Sequence, residues 1–235
     1  MTAMVLVHGA WGGSYGFRKV RPHVWGAGHE VYTPSLTGIG ERSHLTSPMI
    51  TLSTHIRDVV NTVLYEDLDD IVLLGFSYGG MVVTGTLDHI GDRVSHVVYL
   101  DAFVPDDGMS ATAIRNPGAG TTPIEIGEAW HLPPIPRPLP DPDETAWSDA
   151  RRTMQPVGTL NEPVHLSKPL EQWAFTRSYI KATEDPGEAA DSAFWACAER
   201  AKASADWKYH EIPTNHLVAS THPKELAEIL LALVS

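Results

Sequence analysis

The chain has 235 residues, 43% of them apolar and 20% charged, with a formal net charge of −12 and an isoelectric point near 5.3. This composition suits one folded domain with a sizeable core, and the acidic balance argues against an electrostatic grip on nucleic acid or an anionic membrane surface, since both need clustered Lys and Arg. With Cys197 as the single cysteine, neither an internal disulfide nor a cysteine-based metal cluster can form, which fits a reducing, cytoplasmic compartment.

Met1 leads almost at once into the apolar run Met4 to Val7, which reads as a core strand rather than a secretory leader, and no run reaches the roughly 20 apolar residues of a membrane helix. The glycine-rich loop His8-Gly9-Ala10-Trp11-Gly12-Gly13 follows, then a second strand around His29 to Tyr32. Ile56, Val59, Val60, Val63 and Leu64 recur at helical spacing behind Ser53, read as the N-cap. Further strands are predicted at Ile71 to Leu74, Val94 to Leu100, Arg177 to Ala182 and Trp207 to Ile212. Most are continuously apolar rather than alternating, as expected when a sheet is covered on both faces. Leu226, Ile229, Leu230 and Leu233 outline the last helix, with Pro223 near its first turn.

Between 105 and 169 the rhythm breaks: Pro133, Pro134, Pro136, Pro138, Pro140 and Pro142 exclude strand or helix interior there. Trp130, Trp147 and scattered Leu and Ile indicate a packed segment rather than a disordered linker. The expected architecture is therefore α/β, a mostly parallel central sheet flanked by helices. Residues 1–104 and 170–235 form its core, and a proline-rich cap at 105–169 is inserted after the strand ending near Leu100.

Gly75-Phe76-Ser77-Tyr78-Gly79 sets a serine between two glycines directly after an apolar strand and before a helix-compatible segment. A chain that reverses sharply there projects the Ser77 hydroxyl beyond the strand end, and the glycines remove the side chains that would collide in the turn. A serine hydroxyl needs a base to become a nucleophile. Of the twelve histidines, His216 lies on the loop between the last strand and the last helix, at the sheet edge where Ser77 emerges. His8 reads as a structural imidazole bonded to nearby backbone. His44 and His131 are the remaining histidines of interest. For the carboxylate that orients the base, Asp185 gives the order Ser, Asp, His and is preferred; Asp101, just after the fourth strand, competes with it, and Glu184 is a third choice. The amides of Tyr78 and Ala10 are the expected oxyanion donors. Neither GxGxxG nor a Walker lysine supports a phosphate role for the glycine-rich loop.

These features, with Leu36 to His44, Leu100-Asp101-Ala102-Phe103-Val104-Pro105, Asn215-His216-Leu217 and His222 to Ala227, resemble the α/β hydrolases of the group holding plant methyl esterases, the salicylate-binding esterase, hydroxynitrile lyases and many bacterial esterases. The resemblance implies an α/β-hydrolase fold, a triad at Ser77, Asp185 and His216, and an oxyanion hole at Ala10 and Tyr78. It also implies hydrolysis rather than cyanohydrin cleavage, because the lyases of the group carry threonine at the position of Gly9 and lysine at that of Leu217. Two positions depart from the commoner pattern: Phe76, often histidine, and Asn215, more commonly glycine or aspartate.

The expected activity is cleavage of a small neutral or aromatic carboxylic ester through an acyl-enzyme, without metal or organic cofactor. Gly9, Trp11, Phe103, Trp130 and Leu217 are expected around the substrate. A small-ligand receptor on the same fold, or a hydrolase of a lactone, thioester or carbon–carbon bond, are the alternatives. A small-molecule ester is the expected partner, and a homodimer is compatible with the sequence.

Overall fold

The structure, a computed structural model, describes residues 1–116, 129–184 and 189–234. Six parallel strands form the central sheet: β1 (Ala3–Val7), β2 (Glu30–Tyr32), β3 (Ile71–Phe76), β4 (Val94–Leu100), β7 (Thr176–Ala182) and β8 (Trp207–Ile212), in the order β2-β1-β3-β4-β7-β8. A two-stranded antiparallel ribbon, β5 (His131–Leu132) with β6 (Gln155–Pro156), lies between β4 and β7 in the chain. All six expected strands are present, with boundaries moved by two residues at most.

Every residue of β1 is buried, and its side chains divide between two cores. Val5 and Val7 join Leu73, Val97 and Tyr99 under α2 (Leu52–Tyr65), α3 (Gly79–Ile90) and α7 (Ala189–Ala203). Met4 and Leu6 join Val72, Leu74 and Val98 on the opposite face, against Val24 of α1 (Arg21–Gly26) and Leu226 and Leu230 of α9 (Pro223–Ala232). Each such Val or Leu stabilises the fold by roughly 1.5 to 3 kcal/mol. This two-sided burial is why the strands read as unbroken apolar runs.

The N-cap of helix α2 lies two residues before the expected Ser53. Thr51 is the N-cap, in a capping box with Thr54, whose hydroxyl accepts the Thr51 amide at 3.3 Å. Ser53 instead holds the Glu162 carboxylate, through its amide at 2.6 Å and its hydroxyl at 2.8 Å. Val59, Val60 and Val63 are buried as their spacing predicts, whereas Leu64 is 44% exposed. In α9, Pro223 opens the first turn, where a missing amide hydrogen costs nothing.

The segment between β4 and β7 carries the short helices α4 (Ala111–Arg115), α5 (Pro142–Asp149) and α6 (Gly158–Asn161). Pro133 to Pro140 form no regular element, and Pro142 starts α5 behind Asp141, whose carboxylate accepts the Asp143 amide. The segment is tied to the first loop of the sheet. Trp147 meets Tyr15 edge-on at 5.6 Å and lies between the guanidinium groups of Arg18 and Arg151, 3.8 and 4.0 Å from the ring centre. Lys19 reaches Glu144 of α5 at 2.6 Å. Among the described residues, no helix is long and apolar enough to cross a membrane.

Candidate active site

Because the strands are parallel, β1, β3, β4 and β8 all end at the same edge of the sheet, and the loops leaving them converge there. Ser77 follows β3 with φ at +56°, a left-handed conformation that turns the chain straight into α3. The bend is clamped to the end of β4: the Ser77 amide donates to the Leu100 carbonyl at 3.2 Å, and the Ser77 carbonyl accepts from Gly80 at 3.1 Å and Phe103 at 3.2 Å. The flanking glycines are required by space. A Cβ on Gly75 would stand 2.6 Å from the Gly79 carbonyl, and one on Gly79 would stand 2.6 Å from the Val7 carbonyl.

His216 sits past β8, 4% exposed, with its ring between those of Phe76 and Phe194 at centroid distances of 4.7 and 4.9 Å. Phe76 thus forms one wall of the imidazole slot. Asn215 accepts the Leu217 amide through its side chain at 3.0 Å, an Asx-type bond that shapes the loop. Both departures from the commoner family pattern therefore have local structural roles.

The carboxylate on His216 is that of Asp101: its Oδ2 lies 2.6 Å from His216 Nδ1. Asp185, preferred from chain order, lies outside the described residues. Asp101 follows β4, the sheet neighbour of β3, so it leaves the sheet next to the serine bend. Its φ of +42° turns the chain at once, and its amide donates to Ile180 of β7 at 2.8 Å. Burial by itself would raise the Asp101 pKa, but the hydrogen bond and charge of His216 and the charge and hydrogen bond of Lys181 together hold it below the usual carboxylate range. An ionised carboxylate only accepts, so His216 Nδ1 is the donor in this contact and Nε2 is the ring nitrogen not engaged by Asp101.

Two amides stand ready near the serine. Those of Ala10 and Tyr78 donate no hydrogen bond among the described residues, and Tyr78 is the residue from which α3 starts. The loop carrying Ala10 is held on both sides. His8 bonds the Gly9 carbonyl through Nδ1 at 2.9 Å and accepts the Leu36 amide through Nε2 at 3.1 Å, while burial lowers its pKa. Trp11 adopts a φ of +61°; its amide donates to buried Gln155 Oε1 at 2.9 Å and its carbonyl accepts from Thr153 at 3.0 Å.

Ser77, Tyr78, His216, Gly9, Ala10, Trp11, Phe103 and Leu217 line one cavity of about 120 Å³. No hydrogen bond joins the Ser77 and His216 side chains directly. Phe194, Leu160, Leu139 and Trp147 complete much of its apolar wall, and Arg115, Arg137 and Arg152 stand on its inserted-segment side. Gly9 is fixed by Ser77, since a Cβ there would lie 2.9 Å from Ser77 Cβ. Trp130 does not line this cavity; its ring stacks on His131 at 4.4 Å, and its carbonyl accepts from Val157. His44 is exposed on the surface. Among the described residues no group of His, Cys, Asp and Glu is arranged to hold a metal.

A strand-bend serine, a histidine paired to an acid and a glycine-rich first loop on one parallel sheet agree with the family comparison, in which the Alpha/beta hydrolase family matches residues 4–229. The chain belongs to the alpha/beta hydrolase family. This hydrolase is 38% identical to the carbendazim hydrolyzing esterase of Nocardioides sp. (strain SG-4G), with 99% of this chain and 100% of the relative aligned. It is 28% identical to Methylesterase 8 of Arabidopsis thaliana across 50% of this chain and 43% of that protein. Among solved structures, an extracellular alpha/beta-hydrolase from a Paenibacillus species, described as sharing structural and functional homology with tobacco salicylic acid binding protein 2, matches at a TM-score of 0.74 and 23% identity over 99% of both chains. The group expected from the sequence motifs is the one these relatives represent.

Three residues of the hydrolase site escaped the sequence reading. Gln155 comes from the inserted segment, 144 positions away from the loop it holds. His55 of α2 is wholly buried; it bonds the Thr37 carbonyl through Nε2 at 2.8 Å and the Tyr78 hydroxyl through Nδ1 at 3.0 Å, anchoring the side chain next to Ser77. Lys181 is buried in β7 against Asp101. Only the last left a signal, because an ammonium inside an apolar strand requires a buried acid.

Proposed function

We propose that this hydrolase is a serine esterase that cleaves small, neutral or aromatic carboxylic esters through an acyl-enzyme on Ser77. The observation that carries the reading is the Asp101–His216 pair, 2.6 Å apart and buried, in a histidine that shares one apolar cavity with Ser77. Asp101 fixes the tautomer and stabilises the imidazolium. His216 Nε2 takes the Ser77 proton as the oxygen attacks the ester carbonyl. The amides of Ala10 and Tyr78 receive the oxyanion, an arrangement for which each donor is worth roughly 3 to 4 kcal/mol of barrier. The imidazolium then protonates the departing alcohol, and a water activated by the same base releases the acid. A direct Ser77–His216 hydrogen bond is expected to form when substrate fills the cavity, because such catalytic contacts close up in the substrate complex.

The small space beside Ser77 and its Phe103, Phe194 and Leu160 walls support a compact substrate. A wider depression of about 680 Å³, lined by Pro136 and Thr214 among others, shares His216 and Leu217 with it. Similarity to a carbendazim hydrolyzing esterase supports ester cleavage, and Gly9 and Leu217 favour hydrolysis over the lyase chemistry of other group members. Hydrolysis of p-nitrophenyl acetate tests the reading: steady turnover is expected, and Ser77→Ala should reduce it by about a thousand-fold or more. Binding of the ester without product release would instead favour a receptor.

A further inference from the structure

We propose that Lys181 is a positioning residue of the catalytic machinery, one that locks the Asp101 carboxylate and keeps the Asp101–His216 pair ready to accept a proton from Ser77 at lower pH. The inference rests on the esterase reading above and extends it to a residue outside the Ser, His and Asp set.

Lys181 occupies an inner position of β7 with no solvent exposure, and Asp101 is equally inaccessible. Its Nζ lies 2.7 Å from Asp101 Oδ1 and 2.6 Å from the Ala182 carbonyl, with the Trp195 ring 4.3 Å away. The two carboxylate oxygens are thus divided: Oδ1 goes to the lysine and Oδ2 to His216 Nδ1. A carboxylate held at one oxygen can swing about its χ2 bond, whereas one held at both presents Oδ2 in a single direction. Burying an ammonium is costly unless a paired ion offsets it, so the lysine and the aspartate each require the other.

The second consequence is electrostatic. With Lys181 protonated, Asp101 ionised and His216 neutral, the cluster carries no net charge, and a proton on the imidazole makes it a buried monocation. Without the lysine, the same proton would neutralise a buried monoanion, which is far more favourable. The sign is the same whichever member of the coupled pair takes the proton. Among the described residues, Arg18, Arg115, Arg137, Arg152 and Glu144 line the same cavity as His216, but their charges are common to the wild type and the Lys181 variants, and the other ionisable groups around the pair are neutral, engaged elsewhere or exposed. Tyr179 of β7 bonds the Ala102 amide and carbonyl, and burial pushes its hydroxyl up. Burial likewise raises Tyr209 of β8 and the Cys197 thiol of α7, so all three are neutral near pH 7. Arg200 of α7 is engaged by Asp106 and the Val104 carbonyl, and Glu184 is exposed at the outer rim. Ser77 of the β3 bend is uncharged until it reacts.

The test is the pH dependence of kcat/KM for p-nitrophenyl acetate in the wild type, Lys181→Met, Lys181→Gln and Lys181→Arg, with Ser77→Ala as control. The acid limb is expected to move up by about one pH unit or more in the Met and Gln variants, with KM changed less than kcat, and to return toward its wild-type position in Lys181→Arg. An unmoved limb in either folded neutral variant overturns the proposal. So does failure of both neutral variants to fold while Lys181→Arg folds and is active, because that assigns the lysine to stability. Turnover that survives Ser77→Ala sinks the acyl-enzyme reading instead and is distinguished by that control.

Discussion

Asp101 Oδ2 lies 2.6 Å from His216 Nδ1, although 115 positions separate the two residues in the chain. The contact exists because β4 lies next to β3 in the sheet, and a left-handed residue directly after β4 leaves its side chain beside the serine bend. Asp101→Asn should lower kcat on a p-nitrophenyl ester by about a thousand-fold or more, because an amide can favour the wrong imidazole tautomer. Asp185→Asn should stay within about tenfold of the wild type. Parallel steady-state kinetics on the two variants decide the assignment, and the opposite ranking would move the role to Asp185.

Gln155 reaches from the inserted segment to the Trp11 amide and fixes a residue with φ of +61° one position after Ala10, the proposed oxyanion donor. Gln155 Nε2 is itself held by Thr159 Oγ1 at 2.6 Å. Gln155→Leu keeps the bulk but leaves the Trp11 amide without its acceptor. The expected result is a fall in kcat of roughly ten- to a hundred-fold with a smaller change in KM, the signature of a displaced oxyanion donor. A comparable rise in KM with kcat intact would show that Gln155 shapes binding instead.

His55 should make the fold sensitive to mild acid. Burial pushes its pKa down from 6.5 to about 3, so the folded protein holds it neutral while the unfolded chain takes up a proton below pH 6.5. Its contribution is complete above pH 6.5 and is lost progressively as pH falls toward about 3. Urea unfolding at a series of pH values should show stability declining through this window, and His55→Gln should flatten the decline. An identical slope in the variant would mean that His55 is solvated or otherwise compensated.

The reach of the sequence follows from the range of the interactions involved. Strands buried on both faces announce themselves as apolar runs, and a glycine forced by a backbone contact of 2.6 Å announces the bend at Ser77. The placing of His216 on the loop after the last strand was legible, and the structure sets its ring beside Asp101 and in the cavity that Ser77 lines. The Asp101–His216 contact was not, because Asp101 and Asp185 both come after a strand in the sequence and spacing alone does not say which carboxylate meets the imidazole; the structure shows Asp101 there, and Asp185 lies outside the described residues. Lys181 within Tyr179-Ile180-Lys181-Ala182 held the missing clue: a buried cation in an apolar strand needs an acid on the neighbouring strand end, and Asp101 is that acid. Trp130 was expected at the substrate as an aromatic residue of the cap, but it packs on His131 of the β5–β6 ribbon. The N-cap of α2 fell at Thr51 because Thr54 completes the reciprocal box, leaving Ser53 for Glu162.

The most direct test of the central claim is titration with diethyl p-nitrophenyl phosphate followed by mass spectrometry of the digested protein. Stoichiometric release of p-nitrophenol is expected, with the diethylphosphoryl group on the peptide containing Ser77, loss of esterase turnover in proportion to labelling, and neither event in Ser77→Ala. Full ester turnover in a protein labelled at Ser77, or labelling and inactivation that persist in Ser77→Ala, would contradict the account.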